Sequence, residues 1–358
     1  MASVGKLADR ARLEALVNDR LQAVEAPGAT VALTVDGEPW SAGIGHADME
    51  RRRPIEADAR FGLYSITKTV IATMILRLIE GRDSIVLDDT LQTYFPDLPI
   101  ETPVPIRHVL NHTGGLSNYG HLLEYHEAVR AHPGTPWSDD EFLERTIATD
   151  LLFLPGHGWR YSNIGYLLLR QLLEQETGTS FPDIVRTYLG YPFGLETFSG
   201  AASLEDMREL TPGYGTALSG DDTVENVIPH YHPGWVSHGL VTSNAADVAT
   251  FLDLLFEPGR LVKPSLLEQM LIGAPVAETH NWMVNPAYGL GLMMDIANQF
   301  GVVAGHTGGG PGYATAAYRF PNVRGHAVSA VALVNRDGSD VATDIVFAMV
   351  EQLASELE

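Results

Sequence analysis

The sequence predicts an α+β fold in which both ends of the chain build one antiparallel sheet and the middle is mostly helical. Three observations lead to this prediction. Short β-rich runs lie near the N-terminus, several more lie near the C-terminus, and the long stretch between them has apolar residues at helical spacing. Strands from the two ends would then share one sheet, so the helical region is predicted to be inserted between them. The sequence contains no internal repeat.

The N-terminal end combines a helix with a hairpin. Residues 29–35 and 39–45 are strand-like and flank a turn signal at Asp36 and Gly37, which predicts a β-hairpin. Before the hairpin, residues 7–24 have the spacing of an amphipathic helix, with apolar residues three and four apart at Leu7, Leu13, Leu16, Val17, Leu21 and Val24.

The C-terminal end supplies the remaining strands. Residues 288–295, 302–308, 313–320 and 326–335 are β-rich and are separated by Gly, Pro and Asn, which is typical of antiparallel strands. The closing stretch 340–357 has apolar residues at helical spacing. It is predicted to be a last helix that covers the sheet.

The middle of the chain contains the clearest helices. Residues 69–81 and 164–178 are helical runs, and each ends in a glycine suited to the left-handed conformation past a helix end. We therefore expect two parts. Residues 1–64 and 236–358 form the part with the antiparallel sheet, residues 65–235 form the mostly helical part, and the functional site lies at their junction.

Composition excludes several classes of function. The chain has 23 Lys and Arg against 45 Asp and Glu, a formal net charge of -22, so nucleic acid and anionic membranes are poor partners. It has no cysteine, which excludes disulfides, thiolate metal sites and a cysteine nucleophile. No stretch approaches the roughly 20 apolar residues of a membrane span, and charges interrupt the first thirty residues. A soluble, cytoplasmic protein is expected, although a chain trimmed of its leader would look the same.

The first chemical motif is Ser65-Ile66-Thr67-Lys68, an SxxK motif just before the helix predicted at 69–81. Serine and lysine three residues apart on a helix lie on the same face, which brings an amine beside a hydroxyl. A serine hydroxyl is a weak nucleophile until a neighbouring base takes its proton. The start of a helix also supplies free backbone N–H groups that stabilise developing negative charge.

Two further motifs follow along the chain. Tyr161-Ser162-Asn163 precedes the second predicted helix, and alone it is more typical of packing and an N-cap than of catalysis. The segment 305–313, GHTGGGPGY, lies between two predicted strands, where its glycines let a substrate lie against a strand edge, although an ordinary glycine-rich turn would look similar. A second HTGG occurs at 112–115 in a helical neighbourhood.

Together and in this order, SITK, YSN and HTG resemble the serine β-lactamase and penicillin-binding protein superfamily. The similarity is to the branch with class C β-lactamases, D-alanyl-D-alanine carboxypeptidases, D-amino-acid amidases and family VIII carboxylesterases. It covers nearly the whole chain, because VLNHTGGL (109–116), LPGHGWRYSN (154–163) and HGLVTSNAADVATFLDLL (238–255) also look like family segments. The resemblance implies a β-lactamase/transpeptidase-like fold.

The resemblance also implies a role for each motif. Ser65 would attack the carbonyl, while Lys68 and Tyr161 would share the work of the general base, and which of them takes the first proton stays open. A tyrosine acts as a base near neutral pH only if adjacent cations stabilise its phenolate, for which Lys68 and His306 are the candidates. Backbone N–H groups of Ser65 and Gly309 would form the oxyanion hole. Contacts with the substrate would come from Asn163, which would also orient Lys68, and from His306, Thr307 and Gly308.

One residue that differs from the pattern of class C β-lactamases narrows the range of expected substrates. Class C β-lactamases usually have lysine where this chain has His306, and a neutral imidazole binds a carboxylate less strongly than lysine does. We therefore expect a serine hydrolase that acts through an acyl-enzyme on a small-molecule ester, amide, D-peptide or β-lactam, with β-lactams disfavoured. The alternatives are an acyltransferase of the same fold and a non-catalytic penicillin-recognising domain, against which the complete set of proton-transfer residues argues.

Other hydrolase classes and metal chemistry find no support in the sequence. GxSxG is absent, and HExxH is absent because Arg130 stands where the second histidine should be. His230, His232 and His238 lie close together without a carboxylate partner, so we interpret them as loop and surface histidines and predict no metal or other cofactor. Tyr119, Tyr231 and Trp235 either line the pocket or are structural, and the sequence gives no signal for oligomeric state.

Overall fold

A computed structural model of the chain describes residues 9–49, 52–82, 84–147, 150–221, 223–277, 281–338 and 340–357. Its strands, in chain order, are β1 (Gly28–Val35), β2 (Glu38–Asp48), β3 (Arg53–Pro54), β4 (Phe61–Gly62), β5 (Ser199–Ala201), β6 (Tyr214–Gly215), β7 (Glu225–Asn226), β8 (Leu240–Ser243), β9 (Ala274–Pro275), β10 (Pro286–Tyr288), β11 (Met293–Asn298), β12 (Gly301–Gly310), β13 (Tyr313–Val323) and β14 (His326–Val334).

The α-helices of the described residues are α1 (Arg10–Ala23), α2 (Thr67–Gly81), α3 (Leu91–Tyr94), α4 (Ile106–Leu110), α5 (Leu123–Ala131), α6 (Asp139–Thr146), α7 (Asn163–Thr177), α8 (Phe181–Ile184), α9 (Tyr191–Phe193), α10 (Leu204–Arg208), α11 (Ala245–Phe256), α12 (Pro264–Met270) and α13 (Val341–Glu356). Short 3-10 turns occur at Tyr64–Ile66, Tyr119–His121 and Pro233–Trp235, and a π-helical segment at Val185–Gly190.

One antiparallel sheet dominates the fold. Within the described residues it has nine strands, in the order β3-β2-β1-β14-β13-β12-β11-β10-β9. The two ends of the chain meet at its centre, where β1 pairs with β14 and Ala29 lies opposite Val334. This confirms the predicted α+β fold with a sheet assembled from both ends. The division of the chain into two parts at residues 64 and 235 stays a prediction.

Both faces of the sheet are covered. All eight residues of β1 are buried, as expected for a central strand with helices on each side. The terminal helices α1 and α13 cover one face, where Leu13 and Val346 share a core with alternate residues of the strands, whereas α11 packs on the other face. The helical region continues the core on that second face. None of the helices in the described ranges is long and apolar enough to cross a membrane.

Most predicted elements agree with the structure to within a few residues, although Leu7, at the start of the first predicted helix, lies outside the described residues. Two details are wrong. Gly81 lies inside α2 and the next residue, Arg82, is extended, so only Gly178 ends its helix in the left-handed conformation, with φ of 65°. The strand predicted at 288–295 is two strands. The chain leaves the sheet between them because Gly291, with φ of 73°, donates a hydrogen bond to Leu110 in the helical region.

Candidate active site

Ser65 lies in a strained turn. The 3-10 turn Tyr64–Ile66 immediately precedes α2, and Tyr64 has φ of 46°, a rare conformation for an aromatic residue. Its hydroxyl donates a hydrogen bond to the carbonyl of Pro311 (2.5 Å), and its ring packs against Gly310. Tyr64 and Ile66 are buried and Ser65 is partly exposed, so the turn is held from both sides and presents Ser65 to the surface cleft.

Lys68 is completely buried beside Ser65. Its Nζ lies 3.1 Å from Ser65 Oγ, as the SxxK spacing predicts, and 3.2 and 3.4 Å from the two ring nitrogens of His238. Among the ion pairs of the described residues, none includes Lys68. Burial without a carboxylate partner holds the pKa of Lys68 well below its ordinary value. The neutral amine, which can accept a proton, is therefore favoured.

Tyr161 lies on the other side of the lysine. Its ring centroid is 4.9 Å from Lys68 Nζ, and its hydroxyl is hydrogen-bonded with Ser65. Burial raises the pKa of Tyr161 well above its ordinary value, and this effect exceeds the opposing effect of the hydrogen bond with Ser65. The phenol therefore keeps its proton near neutral pH. Lys68 and His306, the two residues expected to stabilise a phenolate as cations, are both favoured in their neutral forms.

His306 is a buried residue behind the cleft. Burial is the main cause that lowers the pKa of His306, to about 3. Its Nδ1 donates to the carbonyl of Thr307 (2.5 Å), which leaves Nε2 to accept a hydrogen bond from the hydroxyl of Tyr288 (2.7 Å). Thr307 and Tyr288 line the cleft next to Ser65, and His306 is absent from the described residues that line it.

The glycines of the HTGG segment bring β12 against the Ser65 turn. A Cβ atom on Gly308 would lie 2.3 Å from the carbonyl oxygen of Leu63 and 3.1 Å from the backbone nitrogen of Ser65, so this position has no room for a side chain. A Cβ on Gly309 would meet no described atom within 4 Å, because Gly309 faces the cleft. The two N–H groups predicted as an oxyanion hole thus come from two backbones in direct contact.

His112 is a residue of the site that the sequence reasoning missed. It is buried, has φ of 61°, and its ring centroid lies 4.3 Å from that of Tyr161 and 4.6 Å from that of Tyr288. Its Nδ1 accepts a hydrogen bond from the backbone N–H of Ser162 (3.2 Å), which orients the YSN segment. The signal was present, because the HTGG at 112–115 repeats the motif at 306–309.

His238 differs from expectation, whereas the role of Asn163 stays a prediction. Asn163 is the first residue of α7, and its buried Oδ1 has no hydrogen-bond partner among the described residues. Besides Ser65, His238 lies within hydrogen-bond distance of Lys68. The interpretation of His238 as a surface residue is wrong, since it is buried and burial lowers its pKa. His230 is exposed and His232 is half-buried, and no cluster suited to a metal ion occurs in the described part of the chain.

The three aromatic residues left open are structural. Tyr119, Tyr231 and Trp235 are each buried to within a few per cent and are absent from the described lining of the Ser65 cleft. Trp235 donates through its Nε1 to the carbonyl of Pro133 (3.0 Å), and Tyr119 accepts a hydrogen bond from the backbone of Ser237. They hold together the loops of the helical region.

Two cavities meet at Gly309. The smaller, of about 280 Å³, contains Ser65, Tyr161 and Thr307 in its walls. The larger, of about 640 Å³, also has Gly309 in its wall and includes Tyr125 and Asp337. The nucleophile therefore lies beside a cleft with two arms, which share Gly309.

Comparisons with known proteins indicate the family of this chain. The Beta-lactamase family model matches residues 13–352. A penicillin-binding protein of Bacillus subtilis is 27% identical over 295 residues, which are 77% of this chain and 61% of that protein. An esterase of Burkholderia gladioli is 30% identical over 239 residues, 62% of this chain and 60% of the esterase. The chain thus spans about three fifths of the length of these relatives.

A solved structure covers more of the molecule. The D-stereospecific amidohydrolase from a Streptomyces species superposes with a TM-score of 0.77 and 26% identity, over 95% of this chain and 98% of that one. The order of the three motifs, the strained serine turn with its buried lysine and the match over 13–352 lead to one assignment. The chain belongs to the Beta-lactamase family.

Proposed function

We propose that this protein is a serine hydrolase that cleaves an ester or amide bond of a small molecule through an acyl-enzyme on Ser65. The observation that supports it best is the contact of 3.1 Å between Ser65 Oγ and the amine of a lysine without an exposed surface. The relatives named an esterase and a D-stereospecific amidohydrolase support the same chemistry. Amides and esters of D-amino acids therefore belong among the first substrates to test.

Lys68 is the first base in this proposal. Burial favours the neutral amine of Lys68, whereas burial of Tyr161 favours the protonated phenol, so the lysine is the better proton acceptor of the two. The amine takes the proton of Ser65 as the serine oxygen attacks the carbonyl carbon. The negative charge that develops on the carbonyl oxygen is stabilised by the backbone N–H groups of Ser65 and Gly309.

Tyr161 is the acid of the next step. When the tetrahedral intermediate collapses, the Tyr161 hydroxyl gives its proton to the departing oxygen or nitrogen and takes one from the Lys68 ammonium, which restores both residues. Water then enters, Lys68 takes a proton from it as it attacks the acyl-enzyme, and Ser65 regains that proton on release of the acid. No metal or cofactor is required by these steps, and a cytoplasmic location stays a prediction.

The test is hydrolysis of a nitrophenyl ester together with covalent labelling by a fluorophosphonate probe. Ser65→Ala should lose at least about 1,000-fold in kcat/KM and should not gain the mass of the probe. Ser355→Ala, which removes an exposed serine of α13, is the matched control and should keep both properties. Activity and labelling that persist in Ser65→Ala would contradict the proposal.

A further inference from the structure

The leaving group of the proposed reaction has a defined place in the cleft. A departing alcohol or amine needs a proton, so it must lie beside the residue that donates one. In the proposed function that residue is Tyr161, which lines the smaller cavity of about 280 Å³. Tyr161 is absent from the described lining of the larger cavity, of about 640 Å³. The smaller cavity is therefore the leaving-group arm.

The walls of this arm are mostly apolar. Its polar side chains are hydroxyls of Ser65, Tyr161, Tyr288 and Thr307, and none of its described lining residues is charged. The apolar part of the lining consists of Trp159, Val276, Met283, Pro286, Ala287 and Met293.

Basic residues near the arm do not present a positive charge to it. Lys68 is completely buried beneath Ser65, and burial favours its neutral form. His306 is covered by Tyr288, whose hydroxyl occupies its Nε2, and its pKa of about 3 makes it neutral at physiological pH. Arg160 is exposed next to Trp159 in the sequence but is absent from the described lining of the arm.

We propose that this arm selects substrates whose leaving group is neutral and apolar, and rejects leaving groups that carry a carboxylate. A carboxylate bound there would lose water against apolar walls without gaining an opposite charge. Peptides that release an amino acid with a free carboxylate are then poor substrates. Esters and amides that release an uncharged alcohol or amine are good ones. This inference rests on the proposed function.

The test compares two chromogenic esters that differ in one charge. Methyl 5-acetoxy-2-nitrobenzoate and 5-acetoxy-2-nitrobenzoate share the acetyl group and a nitrophenolate leaving group, and only the second carries a carboxylate. Nitrophenolate needs no proton to depart, but it occupies the same arm as an alcohol would, because in the proposed function the same N–H groups fix the carbonyl of every substrate. We divide kcat/KM for each ester by the rate constant for its hydrolysis by hydroxide. This normalised kcat/KM of the wild type should be about 100-fold or more higher for the methyl ester. Equal values for the two esters would overturn the proposal.

Variants locate the cause of the preference. Met293→Lys places an ammonium in the arm and should raise kcat/KM for the carboxylate ester at least about tenfold relative to the methyl ester. Ile296→Lys adds the same charge to an exposed position of β11 outside the arm and should keep the wild-type ratio. Should Met293→Lys fail to fold by circular dichroism, Met283→Lys tests the same wall. If neither Met293→Lys nor Met283→Lys changes the ratio of kcat/KM for the two esters, the proposal is overturned.

Two further results separate this inference from the proposed function. If Ser65→Ala hydrolyses both esters at the wild-type rate, the proposed function itself fails. If hydrolysis depends on Ser65 but the carboxylate ester is accepted equally, only the selectivity of the arm is wrong. In that case a loss of the carboxylate ester in Arg160→Gln would identify the arginine as the residue that binds it.

Discussion

Replacing Gly308 by alanine should damage catalysis and stability together. The new Cβ would lie 2.3 Å from the carbonyl oxygen of Leu63 and from Thr315 Oγ1, against 3.4 Å for ordinary contact, so β12 must move about 1 Å away from the serine turn. Movement of that size separates the N–H groups of Ser65 and Gly309. A 1 Å error in a catalytic group costs about 100-fold in rate, and overpacking of this kind costs about 1–3 kcal/mol of stability.

The assay is kcat/KM for a nitrophenyl ester together with urea unfolding of the same preparations. Gly305→Ala is the matched control, because Gly305 lies on β12, like Gly308, but away from Ser65. Its Cβ would lie 2.0 Å from the carbonyl oxygen of Ala317 on β13. It should lose stability to a similar extent with a much smaller loss of kcat. Gly309→Ala has open space and should leave the unfolding free energy within about 0.5 kcal/mol of the wild type. A Gly308→Ala enzyme with stability and kcat/KM close to those of the wild type would refute the reasoning.

Three other predictions concern proton transfer. Lys68→Met should be inactive yet more stable than the wild type at pH 7, because burial disfavours the protonated lysine in the folded protein but not in the unfolded chain. Urea unfolding should show that this advantage in stability becomes smaller as the pH rises towards the ordinary lysine pKa of about 10.4. His238→Gly should admit water to Lys68, raise its pKa and move the acid limb of the pH profile of kcat/KM to higher pH, whereas His238→Leu should not. Tyr161→Phe should lower kcat for an amide by about 100-fold or more and for a nitrophenyl ester by less than about tenfold, since nitrophenolate leaves without a proton.

Local periodicity was sufficient to predict most of the fold. The hairpin of β1 and β2 and the helices α2 and α7 follow from residues that are neighbours along the chain. The break between β10 and β11 could not be found in this way. It depends on Gly291, where a Cβ would lie 2.4 Å from that of Ala72, more than two hundred residues earlier in the chain.

The difference between contacts of chain neighbours and contacts of distant residues also explains which residues of the candidate site could be predicted. Ser65 and Lys68 are one helical turn apart, so their contact is a property of the local sequence. His238 and Tyr288 come from separate loops and strands, and a single histidine or tyrosine has no spacing by which to recognise it. His112 was different, since it lies in a repeated HTGG that could have been weighed as a second contribution to the site.

In the mechanism proposed above, exclusion of water assigns both proton-transfer roles at the same time. Burial disfavours the charged form of any group. Lysine is charged when it carries its additional proton, whereas tyrosine is charged when it has lost its proton. In the proposed mechanism, the same environment therefore favours the neutral amine of Lys68 and the protonated phenol of Tyr161, which gives a base and an acid next to one serine without a carboxylate to separate them. A lysine in place of His306 would bring a second amine close to Lys68. The neutral histidine hydrogen-bonded to Tyr288 instead supports the wall of the uncharged smaller arm. In our proposal, the residue that departs from the β-lactamase pattern therefore also contributes to the preference for an uncharged leaving group.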